Sequence, residues 1–169
     1  QVIVVYFFKQ ILKALSYLHL RGIMHRDIKP DNILITAENV VKLADFGQAC
    51  LYYSDESERV YEEQVGTRWY RAPELLFGLL AYSPSIDTWS AGCVLAEMIN
   101  VAPLFPGHSD IEQISRMFRL LGTPTAETWP GFARLPDAGK IAFDAQAPVS
   151  NWRAVASSCP TPSLLSLLS

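Results

Sequence analysis

The chain has 169 residues, enough for one domain with its own core but short for an enzyme that joins a nucleotide lobe to a substrate lobe. Half of the residues are hydrophobic and only 18% are charged, so something else is expected to cover part of the surface. A net charge of -3 with dispersed Lys and Arg gives no basic stripe, so no nucleic-acid partner is expected; Cys50, Cys93 and Cys159, without C-x-x-C spacing or paired histidines, give neither a disulfide framework nor a zinc site and point to a reducing compartment.

The apolar run from Val2 to Phe8 is interrupted by Lys9 and Lys13, short of the ~18 apolar residues of a membrane span, so a buried helix and no membrane contact are expected. From Val5, the residues Phe8, Ile11, Leu12, Leu15 and Leu18 recur at helical spacing, and the pattern ends near Arg21-Gly22. Two β-branched runs, Ile33-Leu34-Ile35 and Val40-Val41-Lys42-Leu43, are joined by Thr36-Ala37-Glu38-Asn39 and predict a small hairpin. The polar, acidic stretch from Gln48 to Gly66 has no sustained period and predicts a long irregular loop. Ile86 to Ile99 is apolar nearly all round, as in a core helix, and Pro103, Pro106 and Gly107 stop it. Ile111, Ile114, Met117, Phe118 and Leu121 mark a further helix that closes at Gly122. Residues 125–169 are expected to be an irregular insert followed by truncated last helices, because the sequence ends on the uncapped apolar run Leu164-Leu165-Ser166-Leu167-Leu168-Ser169.

Two polar clusters flank the hairpin: His25-Arg26-Asp27-Ile28-Lys29-Pro30-Asp31-Asn32 and Asp45-Phe46-Gly47. Ala72-Pro73-Glu74 follows after the irregular loop. Each tripeptide alone is commonplace in solvated loops, but the three in this order resemble the signature of protein kinases. The resemblance implies a mainly α fold: the large C-terminal lobe with its small β-hairpin, over residues 1–169, with the N-terminal lobe absent. It also implies ATP and Mg²⁺ as cofactors and protein substrates as partners. Moving a γ-phosphoryl group needs a carboxylate to orient the attacking hydroxyl, cations to neutralise phosphate, and ligands for those cations. Asp27 would accept the hydroxyl proton, Lys29 would steady the phosphate, and Asn32 and Asp45 would bind Mg²⁺. His25, Phe46 and Gly47 would shape the loops, Arg26 would grip the activation segment, Thr67 would bond near Asp27 and Lys29, and Asp87 would tie the catalytic loop to the buried helix. Trp69, Trp89 and Trp129 are expected as core anchors.

Gly66-Thr67-Arg68-Trp69-Tyr70-Arg71-Ala72-Pro73-Glu74, Asp87-Thr88-Trp89-Ser90-Ala91-Gly92-Cys93, Leu104-Phe105-Pro106-Gly107 and Leu121-Gly122-Thr123-Pro124 resemble the cyclin-dependent, proline-directed kinases. Leu135-Pro136-Asp137 with Lys140-Ile141-Ala142-Phe143 is similar to their cell-cycle-related type, with the type that activates other cyclin-dependent kinases as the alternative. This second resemblance implies Ser/Thr specificity through Lys29, preference for a following proline through Arg71, a cyclin-like activator, and an intracellular site in cytoplasm or nucleus.

Relatives commonly carry a phosphorylatable threonine at the Glu62 position and an arginine at the Cys50 position. Glu62 either pairs with Arg26 in place of phosphate or is half of a solvated acidic pair with Glu63. The sequence contains no glycine-rich loop or strand lysine for ATP, so the missing small lobe is expected as a partner and the isolated chain is expected to be inactive. Glu74 is expected to lack the arginine that pairs with it in the family. The alternative function is a non-catalytic binding module or competitor.

Overall fold

A computed structural model of the chain describes residues 2–53, 59–151 and 155. Helix α1, Val2–His19, buries Phe8, Ile11, Leu15 and Leu18, the positions its period places on one face. It is not the wholly buried helix expected from its opening run: Val2 is 84% exposed and Ile3 67%. By length and mean hydropathy α1 alone among the described helices could also cross a membrane. Its apolar stripe instead packs on helix α3, Ser85–Asn100. That second helix is apolar all round, as expected, and buries nine residues from Ile86 to Ile99.

Strand β1, Ile23–Met24, follows α1 through Gly22, whose φ of 66° suits a residue without Cβ. A Cβ there would lie 2.7 Å from the Tyr52 carbonyl oxygen, while the Gly22 carbonyl accepts the Tyr52 amide at 2.6 Å. The predicted hairpin forms from β2, Ile33–Ile35, and β3, Val41–Leu43, in the register Ile33 to Leu43 and Ile35 to Val41. Gln10 of α1 clamps its turn: the side chain donates to the Asn39 carbonyl and accepts from the Val41 amide. Strand β4, Cys50–Leu51, pairs antiparallel with β1, although these two residues carry no strand signal and fall in the predicted irregular loop.

Two short pieces lead into α3: a 3-10 turn at Arg68–Tyr70 and helix α2, Pro73–Leu76, with Pro at its first position. Helix α4, Asp110–Leu121, has the start and stop signals of an independent helix. Ser109 caps its N-terminus by accepting the Glu112 amide, and Gly122 ends it at φ 85°. Its inner face is Gln113, Ile114, Met117 and Phe118, whereas Ile111 and Leu121 of the predicted stripe are exposed.

Residues 125–151 are irregular apart from a 3-10 turn at Phe132–Arg134, yet they pack against the core through Trp129, Phe132, Leu135 and Phe143. Phe77, 1% exposed, is ringed by Phe118, Trp129, Phe132 and Phe143 at centroid distances of 5.0 to 6.4 Å, mostly edge-to-face. The expected truncated last helices fall outside the described residues. Trp89 stacks on Phe105 at 6.2 Å and Trp129 joins the aromatic ring, but Trp69 is 38% exposed and donates its indole N–H to the Gly107 carbonyl. Trp69 is a surface clamp because its polar edge must reach that carbonyl. Removing the centre of the aromatic ring, Phe77→Ala, should lower unfolding free energy by about 3 to 5 kcal/mol, read by urea titration of intrinsic fluorescence.

Candidate active site

Between β1 and β2 the chain runs His25, Arg26, Asp27, Ile28 and Lys29, and all but the lysine are buried. The first two are held by their backbone. Asp87, fully buried in the first turn of α3, accepts the His25 amide at 2.8 Å and the Arg26 amide at 2.7 Å. Its carboxylate also meets the His19 imidazole at 2.9 Å, so the end of α1, the loop and the start of α3 share one anion. Arg26 is left-handed at φ 67°, a conformation a non-glycine residue holds only where its surroundings fix it. His25 Nδ1 accepts the Asp27 amide at 3.3 Å and Nε2 faces the Ala44 carbonyl at 3.0 Å, so Nε2 carries the proton. The ring therefore bridges the loop to β3, and Phe46 packs on it at 4.9 Å. His25 and Asp87 thus make contacts that hold the loop in place.

Asp27 collects the site. One carboxylate oxygen accepts the Thr67 amide at 2.9 Å and the Thr67 hydroxyl at 2.8 Å; the other meets Asn32 Nδ2 at 3.0 Å and Lys29 Nζ at 2.8 Å. Lys29 also donates to the Thr67 hydroxyl oxygen at 2.9 Å. Burial by itself would raise the Asp27 carboxyl. The hydrogen bonds from Lys29 and Thr67 outweigh that and hold it below the ordinary carboxylate range. A carboxylate so well satisfied is a weak base and a good orienting group.

Asn32 spends both amide hydrogens on Asp27, at its carbonyl and its carboxylate, which leaves the Asn32 amide oxygen for another partner. The hairpin register sets Ala44 against Asn32, through an Ala44 amide to Asn32 carbonyl bond of 2.9 Å, so Asp45 follows at the same end. Asp45 is itself left-handed at φ 57°, and one of its oxygens accepts the Gly47 amide at 3.2 Å. The two residues thus bring two hard oxygen donors to the same end of the hairpin, a donor set that fits Mg²⁺. Among the described residues, no cluster of three or more His, Cys, Asp or Glu side chains offers a competing metal site.

The activation segment comes close at its later end. Arg26 Nη2 meets Glu62 at 2.8 Å, Nη1 donates to the Tyr82 hydroxyl at 2.9 Å, and Nε donates to the Gln48 carbonyl. Arg71, largely buried, donates to the Gly66 carbonyl at 2.9 Å; burial holds its guanidinium below the ordinary arginine value although Asp110 opposes this. Of the residues marked by sequence, Lys29, Asn32 and Thr67 therefore all meet Asp27, while Arg26, Glu62 and Arg71 hold the segment beside them.

Glu74 stands apart, beside a cavity of about 470 Å³ lined by Trp89, Met117 and Leu135. Burial raises its carboxyl, with Ser85 opposing, and no cation pairs with it among the described residues. His19, Gln48 and Tyr82 are site residues that sequence reasoning misses. None lies in a motif, and each acts on a residue more than fifteen positions away.

The sequence matches the protein kinase domain over residues 3–159. The chain belongs to the protein kinase family. Cyclin-dependent kinase 20 of Homo sapiens is 48% identical over 85% of this kinase chain and 41% of its own length. Cyclin-dependent kinase 7 of Xenopus laevis is 52% identical over 75% of this chain and 35% of its own. The yeast RNA Pol II CTD kinase CTDK-1 complex contains a chain that superposes with a TM-score of 0.91 at 34% identity, covering 99% of this chain and 55% of that one. This kinase chain therefore spans about two fifths of the length of the curated relatives it matches. The mainly α large lobe with its hairpin stands as the motifs implied, and the relatives it matches are cyclin-dependent kinases.

Because the folded Asp27 carboxyl lies below its unfolded value, its contribution to stability is complete above the unfolded pKa, about 3.9, and is lost as pH falls through the folded one. The Thr67 amide proton should accordingly show no titration step from pH 7 down to pH ~4 by NMR. A step midway in that range would mean that Thr67 and Lys29 do not dominate the carboxyl.

Proposed function

We propose that this chain is the substrate-side half of a Ser/Thr kinase that transfers the γ-phosphate of Mg-ATP to Ser or Thr followed by proline. The observation that carries this reading is the saturated Asp27 carboxylate, joined to Lys29, Asn32 and Thr67 within 3.0 Å. Mg-ATP supplies an activated phosphoryl group with its charge partly neutralised. Asp27 orients the substrate hydroxyl and takes its proton late, since a depressed carboxyl is a poor early base. Lys29 holds a positive charge beside that hydroxyl, and Asn32 with Asp45 would hold the metal.

The proline preference is supported at Gly66. Its φ of 75° turns the carbonyl toward Arg71, which occupies it at 2.9 Å, so the residue after the phosphorylated one finds no backbone acceptor there. Proline alone has no amide hydrogen to leave unsatisfied. The reading includes a cyclin-like activator, supported by the names of the relatives, and a reducing intracellular compartment, supported by free Cys50 and Cys93. It also includes a small lobe joined to this chain, because the sequence holds no glycine-rich loop for the phosphates.

The test is transfer of labelled γ-phosphate to a Ser-Pro peptide by three proteins: this chain, the chain joined to the small lobe of a cyclin-dependent kinase, and the joined Asp27→Asn variant. Only the joined wild type should transfer phosphate, with Asp27→Asn slower by about 10² to 10⁴. A joined protein that binds the peptide but transfers nothing would replace the kinase reading with a binding module.

A further inference from the structure

Residues 60–67 have no regular secondary structure, and Val60, Glu62, Glu63 and Gln64 are exposed, yet Gly66 and Thr67 at the end of this stretch must be placed accurately against Asp27. We propose that this segment is closed by a latch of the chain's own side chains, Glu62 on Arg26 and Gln48 on Gly66, which holds Gly66 and Thr67 at the substrate site with no covalent modification of the segment. The role at the substrate site rests on the kinase reading; the latch itself does not.

The contacts form a ring. Arg26 is fixed before Glu62 reaches it: its amide is held by Asp87, its Nε by the Gln48 carbonyl and its Nη1 by the Tyr82 hydroxyl. Its side chain is 5% exposed, so the remaining Nη2 is a preplaced charge. The Glu62 carboxylate, 74% exposed, meets that nitrogen at 2.8 Å and has little of the partner's rotamer freedom to overcome. The same Tyr82 hydroxyl donates to the Glu62 carbonyl at 2.9 Å, so the backbone and the side chain of Glu62 are both held.

Gln48 closes the other side. While its carbonyl takes Arg26 Nε, its side-chain oxygen accepts the Gly66 amide at 2.6 Å. With Arg71 on its carbonyl, Gly66 has both backbone groups satisfied inside the chain. A Cβ at Gly66 would lie 2.9 Å from the Arg26 carbonyl oxygen, so the left-handed glycine is seated directly on the residue that grips Glu62.

Within 60–67 the side-chain hydroxyls are those of Tyr61 and Thr67. The Tyr61 oxygen is enclosed, and the Thr67 hydroxyl donates to Asp27 and accepts from Lys29. Neither is open to a modifying enzyme, while a carboxylate already stands on Arg26. Gln48 and Glu62 are positioning residues: they touch no reacting atom.

The experiment is amide hydrogen exchange on the full chain without nucleotide or substrate, its unmodified mass verified, comparing wild type with Glu62→Gln and Gln48→Leu. Wild-type Gly66 and Thr67 amides should be protected. Glu62→Gln should speed their exchange about fivefold, and Gln48→Leu should speed Gly66 about tenfold, the sizes expected for one exposed ion pair and one part-buried hydrogen bond. Exchange in α3 and the thermal midpoint should not move, which separates a local latch from general destabilisation. In 0.5 M salt, roughly a 4 Å screening length, wild type should approach Glu62→Gln. Unprotected Gly66 and Thr67 in the unmodified wild type, or protection indifferent to both substitutions, would overturn the latch. Neither result bears on phosphate transfer, and an inert joined enzyme would leave the latch standing.

Discussion

The catalytic loop depends on one buried carboxylate. Asp87 accepts the amides of His25 and Arg26, and without it two enclosed donors would be orphaned at about 1 to 3 kcal/mol each. Those two bonds also fix the left-handed Arg26, whose conformation costs of the same order. Because Asp87 sits in the first turn of α3, the position of the loop is inherited from a helix that buries nine of its residues. The His19 contact ties the end of α1 to the same anion, so the two main helices and the loop cannot shift independently.

From that anchor the site is built as a set of shared groups. Asp27 serves Thr67, Lys29 and Asn32 at once, and Arg26 serves Gln48, Tyr82 and Glu62. Sharing trades base strength for placement: the bonds that orient Asp27 are also those that depress its carboxyl. Such a trade suits a reaction whose barrier falls mainly through positioning and charge stabilisation. The apolar surplus of the composition has a location too, on the exposed Val2 and Ile3 of α1, on Leu34 and Ile35 of the hairpin, and on Phe46.

Local pattern was enough to specify the helical stripe of α1, the all-round apolar α3, the capped α4 and the hairpin. Periodicity and capping chemistry encode these within a few residues. The ordered motifs likewise put Asp27, Lys29, Asn32 and Asp45 at the ends of that hairpin. What Asp87 holds was settled by the fold, since its partners lie 61 to 68 residues away and leave no local pattern. The same is true of Tyr82 and Gln48 on Arg26, of the β1–β4 pair, and of the aromatic ring in which Trp129, Phe132 and Phe143 of an irregular stretch surround Phe77. For Glu62 the sequence left two readings, an ion pair with Arg26 or a solvated acid. The fold selects the ion pair, because burial and two other partners, the Gln48 carbonyl and the Tyr82 hydroxyl, have already aimed the guanidinium at it.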